Sequence, residues 1–349
     1  MDFISKLVRP NILALAPYRC ARDDYDQGIL LDANENSNGP ILPNANGLNR
    51  YPSPYQWELK EKIAAFRGTD IKQIFVGVGS DEPIDLLIRI FCEPKTDSII
   101  ITPPTYGMYK VSASINDVPV ISVPLSPDFQ LKPDEILAKS NSTTKILFLC
   151  SPNNPTGNDL NHQEIDYLIK NFPGIVVVDE AYIDFSDKPS YAGRLNEFPN
   201  LVVLQTLSKS FGLAGIRLGL AFASEEIISY MSKIKAPYNV NQLTSDLAVR
   251  AFDYLPEMQE SVNKLIQERK YLEQEFAKIP QVEHIFPSDS NFLLIRVPNA
   301  LAIYRALPNL GVVIRYRGDQ THCEETLRIT VGTHEENLKL IEAFKQVVK

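Results

Sequence analysis

Cysteine is scarce. Four residues, Cys20, Cys92, Cys150 and Cys323, are spread over 349 positions. That spread argues against a disulfide framework and fits a reducing cytoplasm. Cys92 and Cys150 fall in apolar runs and read as buried thiols. Histidine is as sparse, and His162, His284, His322 and His334 share no metal-ligand spacing. The lone pair His322-Cys323 supplies too few ligands, so no metal is expected. No apolar run approaches the ~20 residues of a membrane span. Residues 1–6 lack the charged-then-apolar pattern of a secretory leader. Positive charge is not in excess: the net charge of −8 offers no basic field to nucleic acid or an anionic membrane. Internal repeats, low-complexity tracts and heptads are missing. What remains is an ordinary globular composition, 44% hydrophobic and 22% charged, in a chain long enough for one large domain and a smaller one.

The first ~50 residues read as irregular, because Pro10, Pro17, Pro40 and Pro43 interrupt any long element. A short strand is expected at Ile29-Leu30-Leu31, and a helix over 57–66. From Gln73 the pattern alternates. Apolar strand-like runs at 74–78, 98–101, 118–123, 145–150, 174–178, 201–204 and 218–223 are separated by helical stretches at 83–91, 106–114 and 163–171. Continuous apolar strands between helices imply a mostly parallel sheet covered on both faces. After Glu225 helices come first, at 227–235 and 242–278, with Pro237 and Pro256 breaking them. Strands at 291–297, 312–315 and 327–331 and a last helix at 335–348 come next. That separation suggests an α+β second domain.

Four strand ends carry chemistry. Gly77-Val78-Gly79-Ser80-Asp81-Glu82-Pro83 joins a strand to a helix, with Ser80 placed as N-cap, and its free amides suit a phosphate. It lacks the third glycine of a dinucleotide fingerprint. Asp179 follows four apolar residues, where a carboxylate needs a partner; a pyridinium nitrogen is one. Lys209 lies among small and apolar residues in Thr206-Leu207-Ser208-Lys209-Ser210-Phe211-Gly212, with Arg217 eight positions on. A poorly solvated lysine is a usable nucleophilic amine, able to form a Schiff base with a carbonyl. Asn154, in Ser151-Pro152-Asn153-Asn154-Pro155-Thr156-Gly157, leaves the sheet at a carboxyl end, where parallel sheets present ligand sites.

The ordered set Ser-Pro-Asn-Asn-Pro-Thr-Gly, Asp-Glu-Ala-Tyr and Thr-Leu-Ser-Lys-Ser-Phe-Gly-Leu-Ala-Gly-Ile-Arg resembles the fold-type I aminotransferases that depend on pyridoxal 5'-phosphate (PLP). The resemblance implies an α/β fold with a large, mostly parallel sheet domain and a smaller α+β domain. The division expected is an arm with part of the small domain (1–45), a large PLP-binding domain (46–254) and a small C-terminal domain (255–349). It implies Lys209 as the Schiff-base lysine and proton shuttle, Asp179 at the pyridine nitrogen, and Asn154 and Tyr182 at the ring hydroxyl. It places Ser80, Ser208 and Arg217 on the cofactor phosphate, adds Gly79 and Asp81 to the cofactor-binding residues, and stacks Tyr106 on the ring.

A narrower resemblance spans nearly the whole chain. Leu15-Ala16-Pro17-Tyr18, Leu31-Asp32-Ala33-Asn34-Glu35-Asn36, Leu48-Asn49-Arg50-Tyr51-Pro52, Pro103-Pro104-Thr105-Tyr106-Gly107-Met108-Tyr109 and Leu327-Arg328-Ile329-Thr330-Val331-Gly332-Thr333 are similar to stretches of the histidinol-phosphate aminotransferases. Members of that family exchange an amino group between histidinol phosphate and 2-oxoglutarate, with glutamate as the other partner, in histidine biosynthesis. The likeness implies that Tyr18, Asn34, Arg315 and Arg328 hold substrate, and that Tyr51 reaches the cofactor phosphate of a neighbouring subunit in a homodimer. An aromatic amino acid aminotransferase is the alternative, since an arginine fork takes a carboxylate as well as a phosphate. Arg296 and Arg317 are expected to be solvated charges without a role.

Overall fold

In the computed structural model, which describes residues 3–25 and 27–348, the apolar runs form two sheets. Met1 and Asp2, the start of the stretch read for a leader, lie outside the described residues. The larger sheet has seven strands: β1 (Ile74–Val78), β2 (Ser98–Ile101), β3 (Val120–Ser122), β4 (Thr144–Cys150), β5 (Ile175–Asp179), β6 (Leu201–Thr206) and β7 (Leu218–Ala223). Their spatial order is β1-β7-β6-β5-β4-β2-β3. Strands β6, β5, β4, β2 and β3 run parallel, and β7 runs antiparallel to both of its neighbours.

Side chains alternate across a strand, so a sheet covered on both faces needs apolar residues at every position. Val176, Val178, Leu201 and Val203 pack on one face with Leu59 and Ile63 of helix Trp57–Arg67 and Ile165 and Leu168 of helix His162–Asn171. Ile175, Val177, Val202 and Leu204 pack on the other, with Ile84 and Leu87 of helix Asp81–Phe91 and Ile227 and Met231 of helix Glu225–Ile234. Each such buried side chain contributes roughly 1.5–3 kcal/mol. Together they make the sheet a rigid base for whatever its rim carries.

The smaller sheet is antiparallel throughout: β8 (His284–Ile285), β9 (Phe292–Arg296), β10 (Arg315–Tyr316) and β11 (Thr326–Thr330), in the order β10-β11-β9-β8. Leu272 and Phe276 of helix Leu255–Ala277, with Ile341 and Phe344 of helix His334–Val347, close its core.

Several expectations need correction. Ile29-Leu30-Leu31 is not a strand; Ile29 and Leu31 are 89% and 77% exposed, with no strand alongside to pair with them. The strand expected over 312–315 shrinks to Arg315–Tyr316, and Val313 is exposed. Helix Pro10–Ala14 departs from the sequence pattern, in which Pro10 reads as a breaker, and helix Pro133–Lys139 is not among the expected elements. Both prolines instead occupy the first helical position, whose N–H has no intrahelical acceptor to lose. The irregular arm is tied by one carboxylate. Glu35 accepts from Arg22 Nη2 at 2.7 Å, Arg50 Nη1 at 2.6 Å and the Tyr51 backbone N–H at 2.7 Å. Burial alone would raise its carboxyl, but those donors together hold it down at about 2.

Candidate active site

Four parallel strands end on one rim of the large sheet, and the antiparallel β7 begins there. The register sets Cys150 beside Asp179, Thr206 beside Gly219 and Val78 beside Leu218. Residues just past β1, β4, β5 and β6, and the residue just before β7, therefore meet above the same edge. They line a cleft of about 610 Å³ whose walls include Ser80, Asn154, Asp179, Tyr182, Lys209 and Arg217. Asp81, Tyr106 and Ser208 also face it.

Close approach of two backbones shapes the end of the cleft near Arg217. The Gly79 N–H donates to the Arg217 carbonyl at 2.8 Å. A Cβ on Gly219 would lie 2.1 Å from the Gly79 carbonyl carbon, so any side chain there would force the two segments apart. Gly79 has φ +69°, and a Cβ on it would lie 2.8 Å from Arg217 Nη2. Arg217 itself adopts the left-handed conformation with φ 55°, which aims the guanidinium back over the turn. Ser80 occupies the N-cap position of helix Asp81–Phe91 as expected, but its hydroxyl caps nothing. The first amides of that helix and the serine hydroxyl are left to the cleft.

Lys209 is held by its loop. Ser210 Oγ donates to Asp184, which pairs with Arg67 Nη2 at 2.7 Å, while Arg67 Nε donates to Gln205 Oε1 at 2.7 Å. The lysine Nζ sits 5.4 Å from the centre of the Tyr182 ring. Burial, and then the charge of Arg328, lower its pKa below the ordinary lysine value. Asp179 is buried at the end of β5. Burial raises its carboxyl to about 6, against a Tyr109 hydroxyl donating at 2.6 Å and the Ala181 N–H at 3.1 Å. Tyr106 donates to Asp81 Oδ1 at 3.0 Å and meets Tyr109 edge to face.

The small sheet supplies the opposite wall. Arg315, Arg317 and Arg328 all line the cleft. Arg328 Nη1 donates to Asn154 Oδ1, and its guanidinium lies over Phe292, which meets Tyr182 edge to face. Surface ion pairing does not account for these arginines: among the described residues none of the three has a carboxylate within 4.0 Å. Arg317 departs from the expectation of a solvated charge, because its Nε is buried without a partner. Arg296 departs too, donating to the Glu324 and His322 carbonyls and lying over Phe286.

Tyr18, Asn34 and Tyr51 are not brought to this cleft within one chain. Asn34 and Tyr51 line a second depression beside Leu48, Gln242 and Leu243. Tyr51 stacks on Tyr238 with ring centres 4.7 Å apart, and Tyr18 is 69% exposed beside Cys20. Two residues of the site are absent from the sequence-based set. Tyr109 stands three positions after Tyr106, the spacing of one helical face. Arg317 stands two after Arg315, the spacing of one strand face.

The aminotransferase class I and II family model matches residues 24–344. The histidinol-phosphate aminotransferase of Parabacteroides distasonis is 48% identical over 349 residues, covering 99% of this chain and 99% of that one. Among solved structures, the histidinol-phosphate aminotransferase from Sinorhizobium meliloti in complex with pyridoxal-5'-phosphate has a TM-score of 0.80 at 22% identity, covering 90% of this chain and 89% of that one. L-threonine-O-3-phosphate decarboxylase from Porphyromonas gingivalis has a TM-score of 0.73 at 21% identity, covering 87% and 92%. At those identities the structural likeness establishes the fold alone. The near full-length match to the family model and the 48% identity establish more: the chain belongs to the class I and II aminotransferase family, and within it to the histidinol-phosphate aminotransferases.

Proposed function

We propose that this protein is a PLP-dependent transaminase exchanging the amino group of L-histidinol phosphate with 2-oxoglutarate. One observation carries the reading. A desolvated lysine and a buried acid share a cleft with arginines that have no carboxylate partner of their own. The donor set fits the cofactor at both ends: Arg217, Ser80, Ser208 and the first amides of helix Asp81–Phe91 for its phosphate, and Asp179 for its ring nitrogen.

When bound, PLP supplies an electron sink for breaking the carbon–hydrogen bond at the amine-bearing carbon. Asp179 supplies the negative charge that keeps the ring nitrogen protonated, and Tyr109 holds that carboxylate in place. Asn154 and Tyr182 would hold the ring hydroxyl and Tyr106 would stack on the ring, all three lining the same cleft. Lys209 Nζ would hold the cofactor through its aldehyde. Burial and Arg328 lower its pKa and so ease loss of its proton, and the amine would then be placed to accept the proton from the substrate carbon and return it. Arg315 and Arg328 hold the far end of the substrate.

The large sheet with its rim forms the cofactor-binding domain and the small sheet the substrate wall, dividing near residues 254–255. Asn34, Tyr51 and Tyr18 join the reaction in a homodimer, with Tyr51 reaching the neighbour's cofactor phosphate. Exposed Leu48, Tyr51, Leu243 and Leu247 support this, as apolar groups a second copy would cover. Sedimentation should give twice the chain mass, and a monomer with full activity would remove the shared site. Three buried cysteines and a fourth half-buried one, all unpaired, are consistent with a reducing cytoplasm.

Steady-state rates with histidinol phosphate and with phenylalanine, each paired with 2-oxoglutarate, test the substrate. One or two charge-assisted hydrogen bonds to phosphate should favour histidinol phosphate by roughly 100-fold or more in kcat/KM. Faster turnover of phenylalanine would overturn the assignment in favour of an aromatic amino acid aminotransferase.

A further inference from the structure

Strand pairing sets Arg315 directly opposite Arg328. Arg317 continues the same strand, its backbone N–H donating to the Thr326 carbonyl at 3.0 Å. Side chains two apart on a strand share a face, so all three arginines stand on one side of the β10–β11 pair. All three line the cleft. Like charges opposed across a ladder are destabilising, and among the described residues no ion pair relieves them. Asp319 lies near enough to favour the charge on Arg317 but forms no ion pair with it. The only hydrogen bond from any of the three guanidiniums among the described residues runs from Arg328 to Asn154. Arg317 Nε is buried with nothing to donate to. Burial, reinforced by the repulsion of Arg328 and Arg315, lowers its pKa to about 10.

A single carboxylate is satisfied by one or two guanidinium forks. Three forks suit a group with three terminal oxygens and a charge near −2, as a phosphate monoester has at neutral pH. The two substrates of the proposed reaction differ at this end: a phosphate on one, a carboxylate on the other. We propose that Arg317 is a specificity-determining residue, the third cation by which the cleft favours a phosphate dianion over a carboxylate at the distal end of the substrate. This rests on the reading of the cleft as a histidinol phosphate site.

The test uses the PLP-loaded protein and single-turnover half-reactions with histidinol phosphate, unphosphorylated histidinol and glutamate. In Arg317→Gln, kcat/KM for histidinol phosphate should fall roughly 10- to 100-fold, mostly through KM. The values for histidinol and glutamate should change less than about threefold, and Arg317→Lys should recover part of the loss by restoring the charge. Unchanged cofactor absorbance and melting temperature in the variants would exclude misfolding. An equal loss on all three substrates, or no loss on histidinol phosphate, would overturn the role of Arg317. Failure of the parent reading is separate, because there the unmodified protein would itself show no preference for histidinol phosphate over histidinol.

Discussion

Lys209→Ala is expected to abolish transamination, lowering the half-reaction rate with glutamate by about 10⁴-fold or more. Two functions disappear together: the covalent hold on the cofactor and the amine that moves the proton. The visible absorbance of the PLP-loaded protein should vanish with them. The fold should survive, because the side chain is only partly buried and makes no ion pair among the described residues, while Arg67, Asp184 and Ser210 hold the loop without it. Deleting a cation whose pKa is already lowered by burial and by Arg328 should leave the melting temperature near that of the parent. Stopped-flow absorbance and a thermal melt check both parts. A variant retaining a tenth of the parent rate would remove Lys209 from the chemistry.

Asp179→Asn should move activity and stability in opposite directions. Asparagine keeps the size but not the charge, and losing one partner of a buried charge pair costs about 3–5 kcal/mol. In a barrier that corresponds to a rate lower by roughly 10²- to 10⁴-fold. Without cofactor the sign reverses. The carboxyl titrates at about 6 in the folded chain against an ordinary 3.8. The folded state therefore binds the extra proton between those values, and stability declines as pH rises through that window. Above pH 6 the penalty is complete, at most about 3 kcal/mol for a shift of roughly two units. Cofactor-free Asp179→Asn should then melt at or above the parent at pH 8, with the advantage gone near pH 4. A slow variant that also melts well below the parent at pH 8 would mark Asp179 as a structural acid rather than an electrostatic one.

Much of this arrangement is legible in the chain. Continuous apolar runs specify a sheet covered on both faces, and the residues just after each run land on the rim because parallel strands end together. Lys209, Asp179 and Asn154 are placed this way, while Arg217 stands just before the antiparallel β7, which begins on the same rim. Tyr109 is not legible in the same way. Its partner is Asp179, seventy positions away, and only the helix at 108–115, packed against β2 with Tyr109 stacked on Phe148 of β4, brings them together. Arg317 is hidden because a lone charge near a chain turn reads as solvated. Its unpartnered Nε is visible only once Arg328 faces Arg315 across the ladder. The arm resists for another reason. The residues at 29–31 carry a strand's composition but find no strand alongside, and composition cannot report a missing neighbour.

The groups assigned to the cofactor and those assigned to the substrate stand on different sheets. Lys209, Asp179, Ser208 and Arg217 belong to the large one, and Arg315, Arg317 and Arg328 to the small one. A two-substrate exchange must release one product and admit the second substrate while the amino group waits on the enzyme. On the proposed roles, the small-sheet arginines could release product while Lys209, Asp179, Ser208 and Arg217 stay in place on the large sheet, with the Arg328–Asn154 hydrogen bond as a link between the two walls. If those roles hold, the partition would let the cofactor stay while the substrates come and go in turn, a ping-pong order read from which sheet carries each side chain.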